Sequence, residues 1–157
     1  MGMAERLRSF LDSQGIQYEV LPHPHTSTSL ETARAAHVPG DRIAKSVVLE
    51  DERGYVMAIL PASRRVSLDA LERQLHRKLA LASEENLSGL FEDCEVGAVP
   101  PVADPYGMPA VIDDSLWNLP DVYFEAGDHE DLVHLSGEAF QEIQVHAHHG
   151  SFSSAPD

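Results

Sequence analysis

The 157-residue chain holds a single cysteine, Cys94. One thiol cannot close an intramolecular disulfide, and it excludes a cysteine-rich zinc site as well. No apolar run reaches the roughly 18 residues that a membrane-spanning helix needs. The opening Met1–Arg8 stretch is polar, without the apolar core of a secretory signal. Arg6 stands where a myristoylation pattern wants Ser or Thr. These absences predict a cytoplasmic protein. The second half also lacks positive charge: all 11 Lys and Arg residues lie between Arg6 and Lys78.

The formal net charge of −15 argues against a broad nucleic-acid-binding surface. The distribution qualifies this. Residues 1–78 carry 11 basic and 10 acidic side chains, a net +1, whereas residues 79–157 carry 16 acidic ones and no Lys or Arg, a net −16. Such segregation suggests two surfaces with different tasks, although solubility alone would account for it equally well.

With 43% hydrophobic residues, the chain suits one domain with one sizeable core. Leu7, Phe10 and Leu11 share a helical face over residues 4–14, and Ile16–Leu21 alternates like a strand. Thr28-Ser29-Leu30-Glu31 has capping-box spacing, which predicts a helix from Thr28 to about His37. Ile43–Leu49 and Tyr55–Leu60, separated by Asp51-Glu52-Arg53-Gly54, read as a hairpin. Ser67, Ser83 and Ser136 open further helices. Lys78–Leu81, Ala110–Asp113, Val122–Glu125 and Leu132–Leu135 read as strands. This mixture, without a strict βαβ rhythm, predicts a single α+β domain over residues 1–145 with a mixed sheet flanked by helices. Residues 146–157, polar and rich in Gly, Ser and His, are expected to form a flexible tail.

The least ordinary segment is Gly97-Ala98-Val99-Pro100-Pro101. Gly97 permits a positive φ, and two successive prolines fix two φ angles and remove two donors. A rigid loop is predicted, with the amides of Gly97, Ala98 and Val99 free to hold a carbonyl or carboxyl oxygen. Lys45 is the second unusual residue. Alternation places it on the face of Ile43 and Val47, where an ammonium needs a counter-charge. A lysine reaching to solvent from a strand end is the alternative.

In order along the chain, Ile43-Ala44-Lys45-Ser46-Val47-Val48-Leu49, Leu60-Pro61-Ala62, Gly97–Pro101, Asp113-Asp114-Ser115-Leu116 and Gly127-Asp128-His129 resemble the YbaK/prolyl-tRNA synthetase-associated editing domain. The resemblance spans roughly residues 5–145. It implies a barrel-like mixed sheet and a free-standing aminoacyl-tRNA deacylase that removes a small amino acid such as alanine or serine, with tRNA-Pro among the candidate tRNAs. It further implies that Lys45 holds the terminal adenosine or its phosphate. Gly97, Ala98 and Val99 would stabilise the oxyanion, and Pro100, Pro101, Gly127, Asp128 and His129 would line the pocket. A hydroxyl near Thr28 could face the amino acid. Water is the nucleophile in such a scheme, and no metal or cofactor is required. Neither His23 with His25 nor His146, His148 and His149 shows a recognised metal-ligand spacing.

The implied partners are the tRNA acceptor end and an aminoacyl-tRNA synthetase. Candidate phosphate contacts are Arg34, Arg42, Arg64, Arg65, Arg73, Arg77 and Lys78. Asp113 and Asp114 read as cap or turn residues, and Cys94 as a structural thiol. Two other readings fit the same residues: a module that binds aminoacyl-tRNA or an amino-acid derivative without turnover, and a hydrolase of a small non-tRNA ester.

Overall fold

A computed structural model describes residues 2–155; Met1, Pro156 and Asp157 lie outside them. The helices are α1 (Glu5–Ser13), α2 (Ser29–Ala36), α3 (Leu68–Leu75), α4 (Glu84–Leu90) and α5 (Gly137–Ile143). Four begin as the sequence predicts. Thr28, Ser67, Ser83 and Ser136 each accept the amide three residues on, from Glu31, Ala70, Asn86 and Ala139. Such a cap contributes about 1 kcal/mol.

The strands are β1 (Glu19–Pro22), β2 (Ile43–Asp51), β3 (Gly54–Pro61), β4 (Arg65–Val66), β5 (Ala80–Leu81), β6 (Ala110–Asp113), β7 (Asp121–Glu125), β8 (Asp131–Ser136), β9 (His148–Gly150) and β10 (Ser153–Ser154). β2 and β3 form the expected hairpin, in register from Ala44 opposite Pro61 to Asp51 opposite Gly54. The main sheet runs β1-β8-β7-β2-β3-β6-β9, with β5 beside β2, and β4 pairs β10 separately. Contacts of β2 with β7, β3 with β6 and β6 with β9 are parallel, and the others antiparallel. This is the predicted single α+β domain with a mixed sheet. Among the described residues β1 and β9 do not pair with each other, so the sheet stays open where a closed barrel would join them.

β3 is buried without interruption from Val56 to Pro61, as expected of a strand covered on both faces. On one face Leu7 and Leu11 of α1 and Phe140 and Ile143 of α5 join Val48, Met57 and Ile59 in the largest core. On the other, Leu71 of α3 packs with Leu49, Leu60 and Val111. Ala33 of α2 makes a third cluster with Ile43, Ala62 and Leu132. No helix of the described residues is long and apolar enough to cross a membrane.

Two expectations change. The first strand starts at Glu19 rather than Ile16, because Ile16 is buried in the core behind α1 instead of pairing. Residues 146–155 are not a loose tail. β9 extends the sheet beside β6, β10 pairs β4, and Phe152 between them is 1% exposed. Burying one Phe side chain stabilises by about 1.5–3 kcal/mol, and the strand pairing and the Asp113 hydrogen bonds add to it against the cost of ordering this polar segment. Asp113 completes the anchorage, its Oδ1 accepting the amides of Phe152 (3.0 Å) and Ser153 (3.1 Å). Asp113 also caps the short turn at Ser115, the role predicted for it.

Candidate functional site

A cleft of about 600 Å³ opens where the start of α2, the first half of β2, the segment after β3 and the Gly97 turn converge. Ser27, Thr28, Ser29 and Leu30 form one wall. Lys45 and Ser46 form the floor, Ala62, Ser63, Arg64 and Arg65 the opposite rim, and Gly97 closes the remaining side. Three hydroxyls of this lining are already engaged: Thr28 caps α2, Ser63 donates to Asp41, and Ser46 donates to the Val99 carbonyl at 2.9 Å.

The Gly97 turn is built as its sequence requires. Ala98 N donates to Glu95 O (3.1 Å), closing a four-residue turn with Gly97 in third place at φ +81°, the position where a type II turn needs a positive φ. A Cβ at Gly97 would stand 3.2 Å from the Ser27 carbonyl and 3.3 Å from His129 Nε2, two tight contacts that glycine avoids. The turn is held from several sides. Glu95 N donates to Gly127 O at 2.7 Å, and the buried Gln144 side chain donates to Pro101 O at 2.6 Å. The expectation of three free amides is therefore corrected: the Ala98 N–H is consumed in closing the turn. The amides of Gly97 and Val99 donate to no acceptor among the described residues.

The Gly127-Asp128-His129 segment lies behind this turn rather than in the cleft lining. Gly127 has φ +110°, and a Cβ there would come within 2.9 Å of the Ala4 side chain. Asp128 Oδ1 accepts the amides of Glu130 (3.0 Å) and Asp131 (2.9 Å), which folds the β7–β8 connection; against the effect of burial, the Asp131 side chain and then these amides hold the Asp128 carboxyl below its ordinary range. His129, at φ +57°, is buried and bonds the Val96 carbonyl through Nε2 at 2.6 Å. A carbonyl only accepts, so Nε2 carries the proton. Pro100 and Pro101 are likewise buried beneath the turn. Asp128, His129 and the prolines, expected as substrate contacts, thus stand outside the cleft lining and support the loop, with the β7–β8 turn packed against its back.

Lys45 shares the face of Ile43 and Val47, as alternation predicts, but the expected counter-charge is missing. Its ammonium donates only to the Ala62 carbonyl at 3.4 Å, and no carboxylate among the described residues pairs with it. Burial, then the nearby Arg65 charge, lowers its pKa from the ordinary 10.5. A half-buried cation beside a second cation is an anion-seeking arrangement.

Arg64 and Arg65, expected as phosphate contacts, lie on the cleft rim with Ser63, directly after Leu60-Pro61-Ala62. Arg64 donates to the Ser153 carbonyl (3.0 Å) and hydroxyl (2.7 Å), so the C-terminal strand fixes this rim. Of the other expected phosphate contacts, Arg42 is paired with Asp121 at 2.7 Å and Arg77 grips both oxygens of Asp51 at 2.6–2.7 Å. Cys94 lies outside the cleft lining, against Tyr106 and Asp93, and burial pushes its thiol up to about 12. Among the described residues no group of three or more His, Cys, Asp or Glu is arranged to hold a metal ion.

The aminoacyl-tRNA editing domain model matches residues 23–143, and the chain belongs to that family. Its fold is shared by a structure described as a candidate trans-editing enzyme for prolyl tRNA synthetase, 25% identical over 97% of both chains with a TM-score of 0.84. The hypothetical protein APE2540 is 23% identical, over 96% of this chain and all of its own, with a TM-score of 0.83. A candidate signal transduction protein from Marinobacter aquaeolei VT8 carries the fold in 30% of its length, at 18% identity and a TM-score of 0.77. No curated protein matches the chain.

Proposed function

We propose that this protein is an aminoacyl-tRNA deacylase acting in trans on tRNA that carries a small amino acid of the alanine or serine kind, with tRNA-Pro the first tRNA to test. The observation that carries the reading is Lys45: a cation without a carboxylate partner, in the same cleft as the Gly97 turn with its unspent amides. The family supports aminoacyl-tRNA as the substrate class. The likeness to the candidate trans-editing structure supports action in trans.

An aminoacyl ester is already reactive, so the site must chiefly position it and stabilise the oxyanion. Lys45 and the Arg65 side of the rim would hold the 3′-terminal phosphate. The ester carbonyl would face Gly97, where its oxygen accepts the Gly97 and Val99 amides as negative charge develops; one such donor is typically worth about 10²–10³ in rate. Water adds to the carbonyl carbon, the bond to the ribose oxygen breaks, and that oxygen leaves with a proton as the terminal hydroxyl. The free amino acid is the other product. Since Arg42 and Arg77 are held in ion pairs, few phosphates are neutralised, and a shallow salt dependence of about −2 to −4 in log affinity against log salt follows. A synthetase that delivers the charged tRNA fits such weak binding.

The test is a panel of tRNAs mischarged with alanine, serine, threonine, cysteine and proline, assayed for release of free amino acid. Release confined to small residues is expected. Retention of charged tRNA without turnover would make the protein a binding module. Turnover of small aminoacyl esters without action on charged tRNA would make it a small-ester hydrolase.

A further inference from the structure

The cleft carries cations and, among the described residues, no Asp or Glu in its lining. Lys45 forms its floor, and Arg64 and Arg65 stand on the rim opposite the Ser27–Leu30 wall. An aminoacyl ester brings an α-amino group into this space. That group is a hydrogen-bond donor, and once protonated it is repelled by the three cations. Its acceptor has to be an uncharged oxygen of the lining, on the side away from the arginines.

Few such oxygens are uncommitted. The Ala62 carbonyl accepts from Lys45 and the Val99 carbonyl from Ser46. The Ser27 carbonyl accepts no hydrogen bond among the described residues, although a backbone carbonyl is a strong acceptor. It lies beside Gly97, 3.2 Å from the place a Cβ would take there, and both residues line the cleft. An unspent acceptor therefore adjoins the unspent amides of Gly97 and Val99. The Ser27 and Ser29 hydroxyls also line the cleft, but a hydroxyl turns to suit its surroundings and imposes less selection.

The backbone on each side of this carbonyl is tied down. Thr26 N donates to the His129 carbonyl (3.3 Å), Ser27 N to Glu31 Oε2 (3.0 Å), and the Thr28 hydroxyl accepts the Glu31 amide (3.1 Å). The Thr26 hydroxyl meets that of Thr32 at 2.5 Å, and Thr32 bonds the buried Glu125. An acceptor held in this way needs no rearrangement when a donor arrives. Charge favours the same side: the Glu31 carboxylate sits on the Ser27 amide, and Glu95 opens the Gly97 turn.

We propose that the Ser27 carbonyl is the acceptor for the substrate's α-amino group, so that the cleft selects esters of free-amine amino acids over acyl esters that lack the amine. The α-nitrogen is two bonds from the carbonyl carbon. With the ester oxygen on the Gly97 and Val99 amides, it reaches the Ser27 side while the phosphate lies towards Lys45. A site that bonds a substrate N–H discriminates against the analogue without it. The substrate class rests on the deacylase reading; the placement of the amine rests on Ser27 and Gly97.

Two non-hydrolysable probes test this, 3′-(L-alanylamino)-3′-deoxyadenosine 5′-monophosphate and its propionyl counterpart, which differ only in the α-amino group. The alanyl compound should bind about tenfold more tightly or better. Ser27-Thr28 is the one Ser-Thr pair in the sequence. In protein labelled with 13C-carbonyl serine and 15N-threonine, a single 13C–15N signal thus reports this carbonyl. It should shift with the alanyl probe and hold its place with the propionyl one. In turnover, alanyl-tRNA should be accelerated about tenfold more than propionyl-tRNA, each rate being divided by that of spontaneous hydrolysis. Equal affinity of the two probes, tighter alanyl binding with an unmoved Ser27 signal, or binding of neither probe would overturn the assignment. Equal acceleration of the two esters would overturn it too and leave the deacylase reading standing. The expected binding and shift, with no charged tRNA hydrolysed, would sink the deacylase reading and leave the amine subsite in place.

Discussion

The Ser46 hydroxyl donates to the Val99 carbonyl across 2.9 Å, tying the strand that carries Lys45 to the turn that carries Gly97. Ser46→Ala removes that tie and leaves a carbonyl without its partner, at a stability cost of about 1 kcal/mol. Turnover should fall several-fold while the KM for aminoacyl-tRNA holds, because phosphate binding rests on Lys45 and the rim. Unchanged kcat in the variant would show that the turn keeps its place without β2.

Lys45 gives a prediction in which stability and activity move in opposite directions. Its pKa is lowered on folding, so the unfolded chain binds this proton more tightly than the native one. The cost of the buried charge is fully present below the folded pKa and is relieved as pH rises towards the ordinary 10.5. Lys45→Met should therefore melt at a higher temperature than wild type at pH 7, with the gap narrowing in alkali, while deacylation is abolished. A stable Met variant with wild-type turnover would remove Lys45 from the mechanism.

At Gly97 the backbone and the packing make the same demand. Any side chain meets φ +81° and two atoms at 3.2–3.3 Å. Gly97→Ala should cost about 1–2 kcal/mol from the left-handed conformation alone. Gly97→Val should cut turnover by at least about tenfold if the neighbouring amides face the oxyanion. Chemical denaturation and steady-state kinetics on the pair separate the two effects; full activity in the Val variant would exclude the turn from catalysis.

Cys94 should be inert. With its thiol pushed up to about 12 by burial, it should resist alkylation at pH 8 in the native protein and react only on unfolding. Cys94→Ser should leave turnover nearly unchanged. Rapid native labelling, or loss of activity in Cys94→Ser with full activity in Gly97→Val, would favour a thiol route over water.

The pattern of apolar residues and hydroxyl caps revealed the helices and the β2–β3 hairpin, because those elements are fixed by local periodicity and local hydrogen bonds. The cleft was legible where a residue broke its pattern: Lys45 within an apolar strand, Gly97 before two prolines. What stayed hidden depends on contacts between distant segments. Nothing near His129 in the chain shows that its partner is Val96, 33 positions away, so a buried support read as a pocket residue. Glu125 closes the apolar run Val122-Tyr123-Phe124 and looks like an ordinary polar strand end until Thr32 and two imidazoles are found around it. The C-terminal strands are hidden in the sequence for the same reason: one phenylalanine among polar residues is a weak local signal, and its socket is made by α3, β3 and β6.

The anchorage of Ser153 makes the far end of the described chain a working part of the rim. Asp113 fixes the backbone at Phe152 and Ser153, and Ser153 in turn grips the Arg64 guanidinium. A protease cut near Gly150, or a purification tag that competes with β10 for β4, would therefore be felt at the cleft without touching a residue inside it.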